Sequence, residues 1–163
     1  MEAPASKNAV REQALSYPPL GAMTGGFLGL LGIFLGWFVY RTHPAGGGVD
    51  SIIVRGTQDL SGELAALGAI VSFVGGGAML LLADAKINRW ATMVAGAGAV
   101  FLLAFSAAGL FRADAALSSP GGVGGTGTAF GAYVSALGGV IATASVMLGI
   151  VRDREAIDAE RRG

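Results

Sequence analysis

The sequence predicts an all-α integral membrane protein, a bundle of four transmembrane helices with both termini in the cytoplasm. Three observations lead to this prediction. The chain has 163 residues, of which 53% are hydrophobic and 13% are charged, against roughly 25% charged residues in ordinary soluble domains. The apolar residues are concentrated in four long runs that contain no charged residue. The lysines and arginines are distributed unevenly among the segments between these runs.

Each of the four runs is long enough to cross a bilayer, which requires roughly 20 helical residues. The predicted spans are residues 20–40, 64–83, 90–111 and 129–151. The first run exceeds the 7 to 15 residues of a signal-peptide core, so we interpret it as an uncleaved span. Residues 1–19 form a predicted cytoplasmic tail, with a short helix before Pro18 and Pro19. Residues 152–163 form a charged cytoplasmic tail that prolongs the last helix.

The positions of the basic residues predict the orientation. With the N-terminus inside, eight of the eleven lysines and arginines fall in cytoplasmic segments and three in the outer loops, residues 41–63 and 112–128. The inner turn between the second and third spans is too short for anything but an antiparallel hairpin. Four aromatic residues near span ends are expected at the level of the lipid headgroups; they are Trp37, Tyr40, Trp90 and Tyr133.

Small residues form a stripe on the first and the fourth predicted helices. Helices in lipid associate largely through close van der Waals contact, which small residues permit. At 100° per residue, each stripe occupies one face of its helix. We expect the stripes to pack inside a single four-helix bundle, and the alternative is a contact with a second chain through GxxxG. The residues are Gly25, Gly29, Gly32 and Gly36 on the first helix, and Gly131, Ser135, Gly138 and Gly149 on the fourth.

The two outer loops differ in composition. The first contains VDSIIVRG, whose β-branched residues predict a short strand or an interfacial segment. It ends in DLSGEL, a predicted helix start with Ser61 as N-cap and Glu63 in the first turn, where the helix dipole favours a carboxylate. The second loop is rich in glycine, which predicts no single shape. Its GGVGGTG lacks the lysine of a phosphate-binding loop.

Residues suited to chemistry are scarce. The chain has one histidine and no cysteine, which excludes a multi-histidine metal or haem site and thiolate chemistry within one chain. Ionisable residues inside the spans, the usual mark of an ion path or proton relay, are absent. We therefore predict no catalytic, cofactor or metal site. We predict a solvated polar cluster on the outer surface. Its Asp59 and Glu63 could instead bind a cation weakly or pair with Arg55. The members of the cluster are Arg41, His43, Arg55, Asp59 and Glu63.

Several short motifs together resemble a known type of protein. They are GWFVY at the end of the first span, LSGEL at the start of the second, an inner turn ending in RW, and GAYVSALGGVIA in the fourth span. In this order they resemble the small four-span membrane proteins of unknown function that are common in actinobacteria, including the Trp-associated membrane protein type. The resemblance implies an integral membrane protein without known catalytic residues.

From these observations we expect a non-enzymatic protein of the cell membrane, a structural or accessory subunit that packs against other membrane proteins. The alternative is an oligomeric pore or carrier for a small neutral or lipidic solute. An enzyme that acts on lipids through the outer-surface polar cluster ranks third. The balanced charge, eleven basic against eleven acidic residues, gives no indication of a nucleic-acid partner.

Overall fold

A computed structural model describes residues 7–42, 50–82, 85–117 and 126–162. Within these ranges the chain forms four long α-helices, three short strands and one 3-10 turn. The helices are α1 (Lys7–Phe34), α2 (Leu60–Leu81), α3 (Ala85–Leu117) and α4 (Phe130–Arg162). The strands are β1 (Gly36–Thr42), β2 (Asp50–Arg55) and β3 (Thr126–Thr128), and the 3-10 turn Gly56–Gln58 joins β2 to α2.

The four helices form a closed antiparallel bundle. Each helix packs against its neighbours in the chain, and α4 returns to pack along α1. One end of the bundle carries the strands and is called the sheet end below. The other end holds the start of α1 and the end of α4 and is called the termini end.

The outside of the bundle is apolar. Large hydrophobic side chains are exposed along all four helices. Leu81 is 84% exposed, and Phe111 and Phe130 are each 73% exposed. Each helix also contains a segment long and apolar enough to cross a membrane. The predicted helical fold class is thereby confirmed, and the four helices are consistent with a multi-pass membrane protein.

The strands form one antiparallel sheet in the order β2-β1-β3. Strand β1 pairs with β2 over its length and with β3 through Phe38, Val39 and Tyr40. The strand predicted from VDSIIVRG is therefore present as β2. The predicted second loop contributes β3, and its residues 118–125 lie outside the described residues.

The predicted first span, residues 20–40, is wrong at its C-terminal end. Helix α1 ends at Phe34, and residues from Gly36 onward belong to β1. The run WFVYRT consists largely of aromatic and β-branched residues, which favour an extended strand when partner strands are present. Length and hydropathy alone do not distinguish such a strand from the last turns of an apolar helix.

Other boundaries shift by several residues. Helix α1 begins at Lys7 and continues through Pro18 and Pro19, so the predicted separate N-terminal helix is wrong. Proline is tolerated inside an apolar helix when neighbouring helices cover the interrupted backbone, and Pro18 and Pro19 are both buried. Helix α2 begins earlier than its predicted span, at Leu60, and α3 ends later than its span, at Leu117. Helix α4 continues to Arg162, in line with the alternating charges of the C-terminal segment.

The hydrophobic core lies toward the sheet end. Its fully buried members include Ile33, Trp37 and Leu102, with Phe38 and three alanines around them. A smaller cluster near the termini end consists of Ala22, Ala95 and Val146. The largest buried side chains therefore lie at the end of the bundle that also carries the sheet.

Candidate functional site

The seam between α1 and α4 is a backbone-to-backbone contact. A β-carbon built at Gly25 would lie 2.5 Å from the carbonyl oxygen of Gly138, and one built at Gly138 would lie 2.5 Å from the carbonyl oxygen of Gly25. Gly32 and Gly131 form a second reciprocal pair. A β-carbon at Gly32 would lie 2.7 Å from the carbonyl oxygen of Gly131, and one at Gly131 would lie 2.5 Å from the carbonyl oxygen of Gly32. No side chain fits at these distances, so the two helices approach as closely as their main chains allow.

A matching seam joins α2 and α3. Gly68 and Gly98 form a reciprocal pair in which a β-carbon on either residue would lie 2.8 Å from the other's carbonyl oxygen. Further along this seam, a β-carbon at Gly75 would lie 2.8 Å from the Cα of Ala95. The small face of α3 is not among the predicted stripes, although the repeated alanines and glycines of ATMVAGAGA are a signal for one.

The remaining stripe glycines have different neighbours. Gly29 faces the centre of the bundle, where a β-carbon would meet the side chain of Leu102 at 2.6 Å. Gly36 lies in β1 rather than on the helix and approaches the side chain of Ile53. Gly149 lies against Pro18 near the termini end. The predicted stripes therefore lie against groups of the same chain, but only part of each stripe belongs to the contact between α1 and α4.

Trp37 fills the sheet end of the bundle and is fully buried, so its ring packs inside the protein. The register of β1 against β2 shifts between Gly36 and Phe38, which makes Trp37 the extra residue of a bulge. A bulge redirects a side chain out of the regular alternation of a strand. Here the indole enters a socket between two glycines, because β-carbons at Gly56 and Gly109 would lie 2.8 and 2.7 Å from its ring atoms.

The indole also completes the end of α1. Its Nε1 donates to the carbonyl oxygen of Gly32 at 3.1 Å, and the Leu35 amide donates to the same oxygen at 3.2 Å. The last carbonyls of a helix have no partner within the helix. The Trp37 carbonyl in turn accepts from the Ala129 amide at 2.8 Å, just before α4 begins. Trp37 thus connects α1, the sheet and α4.

The outer-surface polar cluster does not form a single site. Arg41 lies on β1 opposite Ser51, and Arg55 ends β2, with its amide donating to Gln58 Oε1 at 3.0 Å. Both arginines are exposed, as is Glu63 in the first turn of α2. His43 lies outside the described residues.

Asp59 has a structural role at the start of α2. Its carboxylate accepts from the Ser61 amide at 3.0 Å and from the Ser61 hydroxyl, which makes Asp59 the N-cap in place of the predicted Ser61. Aspartate is as good a cap as serine, and the sequence offers both within three residues. The other oxygen of Asp59 lies 3.8 Å from a guanidinium nitrogen of Arg112, a partner that the sequence analysis did not identify.

The bundle interior contains paired hydroxyls. Ser106 on α3 and Ser135 on α4 are fully buried, and their oxygens lie 2.8 Å apart. The Ser72 hydroxyl donates to the carbonyl oxygen of Ala22 at 3.3 Å, which joins α2 to α1. These bonds satisfy buried polar groups and fix neighbouring helices. Among the described residues, no group of three or more aspartate, glutamate or histidine side chains is arranged to hold a metal ion.

Strand β2 forms one edge of the sheet, and its outward edge has no partner strand among the described residues. Successive side chains of a strand point to opposite faces, and on β2 both faces carry an exposed isoleucine. Ile52 is 58% exposed and Ile53 is 62% exposed. The sheet end therefore combines an anchored inner strand, β1, with an apolar outer strand, β2, that is paired on one edge only.

Comparison with models of known protein families and with curated proteins finds no match to this chain, so the resemblance to the Trp-associated membrane protein type stays a prediction.

Proposed function

We propose that this protein is a non-enzymatic accessory subunit of the cell membrane that binds another membrane protein through its sheet end. The observation that carries the proposal is the exposed edge of β2. An unpaired strand edge offers a row of amide and carbonyl groups to an added strand, and Ile52 and Ile53 add apolar contact area beside it.

The helical seams support this assignment of the contact surface. The glycines at the centre of the α1–α4 and α2–α3 seams lie against backbone of the same chain, which leaves their small faces unavailable to a second protein. A partner is then expected to bind through surfaces that lie outside the seams. The proposed arrangement has both termini in the cytoplasm and the sheet on the outer side of the membrane.

Co-purification from a mild detergent tests the proposal. We expect a stoichiometric partner protein with the wild type, and loss of that partner in the double variant Ile52→Lys/Ile53→Lys, because two charges on the strand disfavour an apolar edge contact. Thr57→Lys is the matched control, since Thr57 is exposed in the adjacent 3-10 turn but lies outside β2.

Two results would count against the accessory function. A lone homo-oligomer with an axial cavity would favour the alternative of a pore or carrier for a small neutral or lipidic solute. Equal retention of the partner by the double variant and by Thr57→Lys would place the contact away from β2.

A further inference from the structure

A cavity of about 340 Å³ opens between α1 and α4 at the termini end. Among the described residues, those that line it are Tyr17, Pro18, Ser145, Leu148 and Arg152. This volume is at the lower end of the range for small-molecule sites, about 300 to 1,000 Å³. Pro18 lines the cavity and also packs against Gly149, so the helices remain in contact beside it.

The lining changes from apolar to basic along the helix axes. Pro18 and Leu148 provide hydrocarbon walls within the apolar segments, and Ser145, one turn before Leu148 on α4, provides a hydroxyl. Tyr17 begins the apolar segment of α1 and Arg152 ends that of α4. If these segments cross a bilayer, the guanidinium lies at the level of the headgroups and the hydrocarbon walls lie at the level of the acyl chains.

An anionic phospholipid matches this gradient. The planar guanidinium of arginine recognises phosphate through two parallel hydrogen bonds, and basic pockets between helices at a membrane surface are suited to anionic headgroups. Arg89 and Arg154 are also exposed at this end of the bundle. A soluble anion would not use the apolar walls, and a zwitterionic lipid would bring its own cation toward Arg152.

We propose that the cavity between α1 and α4 holds one phospholipid with an anionic headgroup. Its phosphate binds the guanidinium of Arg152, and the part of an acyl chain nearest the headgroup lies along Leu148 and Pro18. Arg152 already interacts with another group in the structure. A guanidinium has five N–H donors, so phosphate binding adds to that interaction or replaces it. The site is separate from β2 and does not depend on the proposed partner.

Native mass spectrometry of the delipidated protein in detergent tests the proposal. Phosphatidylglycerol and phosphatidylcholine with identical acyl chains are added separately, and bound lipid is counted. We expect one phosphatidylglycerol to bind at least about tenfold more tightly than phosphatidylcholine, because the two lipids share the phosphate and only phosphatidylcholine brings a cation close to the guanidinium. Arg152→Gln is expected to abolish this preference.

Matched variants separate the site from general electrostatics. Arg112→Gln removes the same charge from a residue that is 67% exposed on α3 at the sheet end and should keep the preference. Leu148→Trp, which places a larger side chain in the cavity, should weaken the binding of both lipids, whereas Leu81→Trp on the exposed surface of α2 should not.

Three results would overturn the proposal. They are equal binding of the two lipids by the wild type, equal loss of preference in Arg152→Gln and Arg112→Gln, and displacement of phosphatidylglycerol by millimolar inorganic phosphate. The last result would identify a site for a soluble anion instead of a lipid.

Discussion

Along the middle of the bundle the contacts that set the helix spacing are made by backbone atoms, whereas at the sheet end they are made by one indole ring. Gly25 and Gly138 bring α1 and α4 together with no side chain between them. Trp37 instead fills a socket between Gly56 and Gly109 and is held by a hydrogen bond. Glycines serve both regions, in one case to admit a helix and in the other to admit a large ring.

The two regions should respond differently to substitution. A backbone contact leaves nothing that can move aside, so an added side chain must separate whole helices. A ring in a socket can be replaced by a smaller ring, and the loss is then limited to the buried area and the hydrogen bond. A larger residue in place of a seam glycine should therefore lower the free energy of unfolding sharply. Smaller side chains in place of Trp37 should lower it in steps that follow the volume removed.

The largest effect is expected for Gly25→Leu. Its β-carbon would lie 2.5 Å from the Ala142 amide nitrogen and from the Gly138 carbonyl oxygen, and both are backbone atoms. We expect a loss of at least about 4 kcal/mol, the range in which severe core disruptions fall. Unfolding by sodium dodecyl sulfate, followed by circular dichroism, measures the change.

Gly77→Leu is the matched control for this variant. A β-carbon at Gly77 meets no atom within 4 Å, so the same substitution should change stability by no more than about 0.5 kcal/mol, as at other surface positions. Similar losses in the two variants would show that leucine is tolerated poorly in these helices generally, and that the close seam is not the cause.

The next largest effect is expected for Trp37→Ala. Removing a fully buried indole leaves a cavity and typically costs about 3 to 5 kcal/mol. Trp37→Phe should cost less, because the ring volume is largely kept and the Gly32 carbonyl retains the Leu35 amide as a donor. Only the hydrogen bond from the indole is lost, worth about 0.5 to 1.5 kcal/mol. The same detergent unfolding assay compares the variants.

Trp90→Ala provides the reference, since Trp90 is 63% exposed at the other end of the bundle. A cost for Trp90→Ala as large as that for Trp37→Ala would contradict the role assigned to the socket. In a Trp90→Phe background, Trp37 is the only tryptophan, and its fluorescence should be blue-shifted in the folded state and red-shifted after unfolding.

The sequence predicts the α1–α4 seam better than the sheet end, and the reason is physical. Small residues at helical spacing leave a periodic signal, so Gly25, Gly32, Gly131 and Gly138 were identified without coordinates. The place where α1 gives way to β1 leaves no such signal, because WFVYRT is apolar enough to continue a span. Its strand conformation depends on β2 and β3, which are distant in sequence.

The roles of Asp59 and Arg152 also depend on contacts between helices. Asp59 was recognised as part of a polar cluster, but its use as the α2 cap and its proximity to Arg112 depend on how α2 and α3 meet. Arg152 was assigned to a charged tail, because nothing in its local sequence indicates the cavity that α1 forms beside it. Contacts between helices distant in sequence decide both cases.

The smallest effect is expected where the two regions meet, at the hydrogen bond between Ser106 and Ser135. Ser135 lies against Gly32 in the seam, and Ser106 is one turn from Gly109 in the Trp37 socket.

Ser106→Ala or Ser135→Ala alone leaves the other hydroxyl buried without its partner, which costs about 1 to 3 kcal/mol. The double variant removes both hydroxyls and should cost less than the sum of the two single variants. A double-mutant cycle measures the interaction energy of the two hydroxyls. It should be about 0.6 kcal/mol, the average for hydrogen bonds between membrane helices. Strict additivity of the two substitutions would mean that the two hydroxyls do not interact.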